Sequence, residues 1–205
     1  MRRKGRIQAD AVVRPLELVT IHAERFRIPD RQRLVHLQFR RFSGSPVCDL
    51  HLHSIMERHN EIVAVSIREV VVFHSIAEEL LPFAGELPFA IVADPDKQLY
   101  AEFGVEQGAR ALLDPRAWLP IVRGVLRSLH AVFTKLKPVP ALNPHGGRLG
   151  LPADFLIACD GRVLASNYGS HVYDQWSVEE ILALASSKDI ARQAHSQSKS
   201  TTCAR

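Results

Sequence analysis

Strand-length apolar runs alternate with helix-start signals along this chain, and that alternation constrains its fold more than any other feature. Leu34–Phe39, Arg68–Phe73 and Phe89–Ala93 are short, largely apolar runs of the kind that form buried strands. Between them come a break at Ser43-Gly44-Ser45-Pro46 and a capping box at Ser75-Ile76-Ala77-Glu78, and after them the Asp94-Pro95 and Asp114-Pro115 pairs, each with a capping side chain before a proline. Strands separated by helices need crossover connections, so the expected architecture is α/β, with a mainly parallel sheet covered on both faces. Phe155–Ala158, the Asp160-Gly161 turn and Arg162–Ser166 read as a hairpin that adds antiparallel strands. Ser177-Val178-Glu179-Glu180 caps a last helix, running to about Ala185.

Two more strands are expected ahead of this core, at Leu16–His22 and Phe26–Ile28. A helix is expected from Val47 to about Asn60, another from Asp94-Pro95 to Phe103, and the longest over about 115–136. In that longest helix Trp118, Ile121, Val122, Val125, Leu129 and Phe133 form one stripe, which reads as core. Residues 137–151 form a Pro/Gly-rich loop. The 205 residues, 46% hydrophobic and 23% charged, suit one compact domain. The expected organisation is a flexible tail over 1–14, one domain over 15–186, and a Ser-, Lys- and Gln-rich disordered tail over 187–205.

Charge and cysteine content narrow the function. The net charge of +4 comes partly from Arg2, Arg3, Lys4 and Arg6. No zinc-finger or RNA-recognition signature accompanies it, so no nucleic-acid partner is expected. No apolar run has the length of a signal peptide or a membrane span, so neither secretion nor membrane insertion is expected. Three cysteines, Cys48, Cys159 and Cys203, do not make a disulfide framework. The expected compartment is the reducing cytoplasm, where a thiol is available for chemistry. Ten histidines are present, but His51 and His53 do not share a helix face, and no Cys/His set has structural-zinc spacing. No metal and no cofactor are expected.

The most informative place is the junction after Leu34–Phe39. Ser45 suits an N-cap and Pro46 the first helical position, which puts Cys48 in the first turn. A thiolate there is stabilised by the helix dipole and by backbone N–H groups that lack intrahelical partners. Arg40 and Arg41, just upstream, add positive potential if their strand phase points them that way. The competing reading is a small buried residue under a helix, because free cysteines are among the most buried residue types.

Three segments carry a family resemblance. They are Leu34-Val35-His36-Leu37-Gln38-Phe39-Arg40-Arg41-Phe42 running into Gly44-Ser45-Pro46-Val47-Cys48; Val92-Ala93-Asp94-Pro95-Asp96 followed by Leu99–Val105; and Gly150-Leu151-Pro152-Ala153-Asp154-Phe155-Leu156-Ile157 with Asp160-Gly161. From about Leu16 to Ala185 the chain resembles the thioredoxin-like superfamily, and within it the peroxiredoxin-like alkyl hydroperoxide reductase/thiol-specific antioxidant group. The resemblance implies a thioredoxin-like fold with a central mixed sheet flanked by helices, and with the 115–136 helix inserted before a cis-proline strand. It also implies a Thr/Ser-x-x-Cys motif whose cysteine attacks peroxide, matched here by Ser45-x-x-Cys48. Thioredoxins carry a cysteine where this chain has Ser45, so a local dithiol pair is excluded.

Two positions depart from the peroxiredoxin pattern. Arg41 stands where a proline precedes the motif, and Pro152, resembling the cis-proline beside thioredoxin active sites, stands where an arginine is expected. Arg41 and Arg148 are candidates to supply the missing charge and, with Pro152, to shape the groove. Cys159 and Cys203 are candidate resolving thiols, although the expected cycle uses a single cysteine resolved by an external thiol of glutathione or thioredoxin type. The function read from these residues is a thiol-dependent peroxidase acting on a peroxide, with a homodimer left open. The alternatives are a catalytically degenerate thioredoxin-fold binding or regulatory protein and a monothiol–disulfide exchange protein.

Overall fold

The computed structural model describes residues 5–42, 46–84, 87–105, 150–171 and 173–187, the side chains of 46–49 and 84 excepted. Its centre is a five-stranded mixed sheet of order β5-β4-β3-β6-β7. The strands are β3 (Leu34–Arg40), β4 (Ile67–Phe73), β5 (Ala90–Ala93), β6 (Ala153–Ile157) and β7 (Val163–Tyr168). β3, β4 and β5 run parallel, and β6 and β7 close the sheet with antiparallel pairings. The expected α/β alternation and closing hairpin are therefore both present. Gly161 makes the hairpin turn at φ +90°, a backbone region that residues with a side chain rarely adopt.

A separate two-stranded sheet, β1 (Leu16–Val19) with β2 (Arg25–Ile28), packs beside the main one. β1 stops short of the expected His22 because Thr20 turns the chain: its Oγ1 accepts from the N–H groups of His22 and Glu24. Part of the expected leading tail is tied down. Val163 N–H donates to Ala11 O at 2.8 Å and Val13 N–H to Gly161 O at 2.9 Å, with Val13 buried against the core.

The helices are α1 (Pro46–Glu57), α2 (His59–Ala64), α3 (Ala77–Ala84), α4 (Gln98–Glu102) and α5 (Val178–Ser186). The single helix expected over 47–60 is two, because Arg58 leaves helical dihedrals at φ −113°, ψ 19°. Its guanidinium bonds Glu61 on α2 and Glu179 on α5. α3 begins two residues after the expected capping serine. Ser75 is buried in the preceding bend, and the Ile76 carbonyl accepts the first N–H groups. Asp94 caps as expected but across a turn. Lys97 sits at φ 57°, and the carboxylate accepts from the N–H groups of Gln98, Leu99 and Tyr100. The Ser177–Glu180 capping box of α5 is complete. The expected 115–136 helix and nearly all of the 187–205 tail lie outside the described residues.

Strand alternation divides the core in two. Val35, Leu37 and Phe39 of β3 face one side, with Val70, Val72, Phe155, Tyr100 and Phe103. Leu34 faces the other side with Ile67, Leu156, Ile55, Ile62 and Ile181, under α1, α2 and α5. The remaining residues of β3 on that second side are His36, Gln38 and Arg40, and they begin the site.

Candidate active site at the end of the central strand

All seven residues of β3 are buried, so its polar side chains need partners within the protein. They find them on three elements. His36 Nδ1 bonds Glu69 of β4 at 2.8 Å, and its Nε2 lies 3.3 Å from Asp154 of β6. Gln38 donates to Glu69 and accepts from Arg40 at 2.6 Å. Arg40 donates to Asp154 Oδ1 at 2.6 Å and to His51 Nε2 on α1 at 3.1 Å. Trp176 stacks on His36, and its backbone N–H donates to Asp154. The register accounts for the assembly: His36 lies opposite Glu69, and Gln38 opposite Asp154.

The charges balance when His36 is protonated, as two cations against two carboxylates. Burial alone would push the His36 pKa down, but Glu69 and Asp154 override it and raise it to about 9. Burial would raise Asp154, yet Arg40 and His36 hold its carboxyl well below the usual range. His51 moves the opposite way. Burial and then the Arg40 charge keep its pKa well below the ordinary value, so it is neutral and accepts the guanidinium's hydrogen bond. The strand phase that sequence left open is thus settled for Arg40, which points toward the α1 side of the sheet.

α1 begins at Pro46, so Cys48 falls in its first turn and His51 one turn further on. Ser45, Arg148 and Cys203 lie outside the described residues. Arg41 is buried at the end of β3, its guanidinium 5.5 Å from the Phe42 ring. Its carbonyl accepts from His74 N–H at 3.2 Å. His74 follows β4 and is fully buried, and its ring packs edge-on to Tyr100.

Pro152 leads into β6 at this same end, where its carbonyl accepts from Gly169 N–H at 2.9 Å. Its peptide bond is not the expected cis one, because the cis bond among the described residues is Ile28–Pro29. Pro152 instead prolongs the β6–β7 pairing in the trans form that X–Pro bonds ordinarily prefer. Cys159 lies beyond the other end of β6, level with the start of β3. A seven-residue strand, roughly 20 Å, separates it from the end where α1 starts. Burial, then the nearby Asp30, raises its thiol pKa, the reverse of activation.

Known proteins supply an independent comparison. A family profile described as AhpC/TSA antioxidant enzyme matches residues 54–171, more than half of the chain. The chain belongs to the AhpC/TSA antioxidant enzyme family. The matched stretch begins at Ser54, after the Ser45-x-x-Cys48 motif, so this membership rests on the body of the domain. No curated protein sequence matches significantly.

Solved structures of low identity share the fold of this AhpC/TSA member. The peroxidoxin BcpB from Mycobacterium tuberculosis superposes with a TM-score of 0.59 at 16% identity, covering 87% of this chain and 96% of its own. A cysteine-to-serine mutant of peroxiredoxin 6 from Arenicola marina gives 0.62 at 14% identity, covering 91% and 76%. A putative thiol:disulfide interchange protein DsbE from Chlorobium tepidum gives 0.55 at 17% identity, covering 88% and 99%. The fold is therefore thioredoxin-like, as the resemblance implied. Among the described residues no helix is long and apolar enough to cross a membrane.

The residues that sequence reading missed are His36, Gln38, His51, Glu69, Asp154 and His74. A signal for two of them was present. His36, Gln38 and Arg40 recur at period two within an otherwise apolar run, which marks one polar face on a central strand.

Proposed function

We propose that this AhpC/TSA-family chain is a thiol-dependent peroxidase with Cys48 as its nucleophile. The observation that supports the reading is the start of α1 at Pro46, after the central strand ends at Arg40, so that Cys48 is a residue of the first helical turn. Such a position favours the thiolate. In the reaction the sulfur attacks one peroxide oxygen and the O–O bond breaks. The bonding electron pair leaves on the other oxygen, which takes up a proton. The products are a Cys48 sulfenic acid and an alcohol or water.

Ser45 is assigned to positioning and polarising the peroxide, and Arg41, Arg148 and Pro152 to shaping the groove. Cys159 sits at the opposite end of the sheet, which supports return by external thiols of glutathione or thioredoxin type in a reducing compartment. One such thiol condenses with the sulfenic acid and releases water. A second cleaves the mixed disulfide.

The test is stopped-flow reaction of the purified protein with hydrogen peroxide, with trapping of the sulfenic acid. A Cys48-dependent rate far above that of free cysteine is expected. A rate equal to free cysteine, with glutathione nonetheless exchanging onto Cys48, would replace this account with monothiol exchange.

A further inference from the structure

Among the described residues, His74 is the titratable group whose burial is hardest to explain by folding. It is fully buried, yet neither ring nitrogen has a hydrogen-bond partner there. The other buried ionisable groups on the sheet, His36, Arg40, Glu69 and Asp154, each keep at least one charged partner although His36 Nε2 and Arg40 Nε make no hydrogen bond, whereas both nitrogens of His74 are unpaired. An imidazole with both nitrogens unpaired destabilises a core, and a buried orphan of this kind calls for a functional account.

Its place supplies one. His74 is the first residue after β4, and its backbone N–H bonds Arg41 at the end of the adjacent strand β3. α1, with Cys48 in its first turn, begins at Pro46, five residues after Arg41. Gly150, on the approach to β6, completes the surround: a Cβ at Gly150 would sit 3.4 Å from His74 Nε2 and 3.6 Å from Arg41 Cγ. The ends of β3 and β4 and the entry to β6 thus converge on this ring, at the end of the sheet from which the chain leads on to α1. Burial, then the charge of Lys97 and that of Arg41, lowers the His74 pKa to about 4. The ring is neutral at working pH, with one N–H to donate and one nitrogen to accept.

We propose that His74 is a substrate-contacting residue of the Cys48 site, its ring N–H donating to the peroxide oxygen that leaves. This rests on the peroxidase reading and deepens it. The displaced oxygen gains the electron pair of the broken O–O bond, and a fixed donor in a water-poor site stabilises that charge as it develops. The imidazole stays neutral throughout, and the proton that completes the alcohol or water comes from solvent. Arg41 beside it reinforces the same field. A neutral histidine here would serve where the peroxiredoxin pattern expects an arginine and this chain has Pro152.

The experiment compares wild type, His74→Leu and His74→Gln by three readouts: the rate of Cys48 with hydrogen peroxide, its rate with iodoacetamide, and Tm. Alkylation needs the thiolate but expels iodide, so it does not call on an oxygen-directed donor. His74→Leu should slow the peroxide reaction about 100-fold, the scale of one lost oxyanion donor. Its alkylation rate should be unchanged and its Tm equal to or above wild type, because an unpaired polar group has been removed. His74→Gln, which keeps an N–H donor, should recover most of the peroxide rate. Equal loss of both rates, or a lower Tm without selective loss toward peroxide, would make His74 structural and overturn the inference. An unchanged peroxide rate in His74→Leu would overturn it and leave the peroxidase standing. A wild-type Cys48 no faster than free cysteine would overturn the peroxidase reading and this inference together.

Discussion

Asp154→Asn should reveal how strongly the four buried charges depend on one another. Asp154 takes a 2.6 Å hydrogen bond from Arg40 and lies 3.3 Å from His36 Nε2. The amide keeps the shape and removes one negative charge, leaving two cations facing Glu69 alone. The protein then either holds an uncompensated buried charge, at a cost of about 3–5 kcal/mol, or releases the His36 proton. In the wild type that proton is held with a pKa of about 9. At pH 7 it therefore contributes roughly 3 kcal/mol, at about 1.4 kcal/mol per unit. Both routes converge on a loss of about 3–5 kcal/mol at neutral pH.

The loss should also depend on pH. Above pH 9 the wild type releases the same proton, so the gap between the two proteins should narrow by roughly 3 kcal/mol. Urea unfolding at constant m from pH 6 to pH 10 measures this. A neutral Arg40→Met/Asp154→Leu pair should lose less than Asp154→Asn alone, because it strands no charge. An Asp154→Asn protein within about 1 kcal/mol of wild type at pH 7, or a gap that does not change with pH, would refute the reasoning.

Two further outcomes follow from the same structure. The His36 pKa is raised on folding, so its contribution is fully present below the unfolded value near 6.5 and is lost as pH rises through about 9. The Asp154 pKa is depressed, so its contribution is present above the ordinary carboxylate range and lost as pH falls through the folded value. Thermal melts of the wild type should accordingly show greatest stability in mildly acidic to neutral solution and a fall on the alkaline side near pH 9. Ser177→Ala removes the hydroxyl that accepts from Glu180 N–H in the α5 capping box. It should lower stability by about 1 kcal/mol in the same urea assay.

The strands and their parallel order were legible in the sequence because fully buried strands are short apolar runs bounded by turn chemistry, as at Leu34–Phe39 and Arg68–Phe73. The Ser177 cap and the Asp160-Gly161 turn were legible because each is a local pattern with one geometric solution. Helix boundaries were less so. The break at Arg58 follows from contacts to Glu61 and Glu179, one of which lies on a helix far along the chain. The buried charge network was half legible: its three β3 members stand out by period, but Glu69, Asp154 and His51 join it only through pairing register and helix docking. His74 carried no signal at all, because what distinguishes it is the lack of a partner after folding. Pro152 misled, since proline identity does not specify the isomer of its peptide bond.

The account turns on Cys48 being held as a thiolate. The most direct measurement is the pH dependence of Cys48 alkylation in a chain whose Cys159 and Cys203 are replaced by serine. The account predicts a midpoint well below the ordinary thiol value of about 8.5, with the thiolate predominant at neutral pH. A midpoint at or above that value would contradict it, and Cys48 would then be a packed residue at the start of α1.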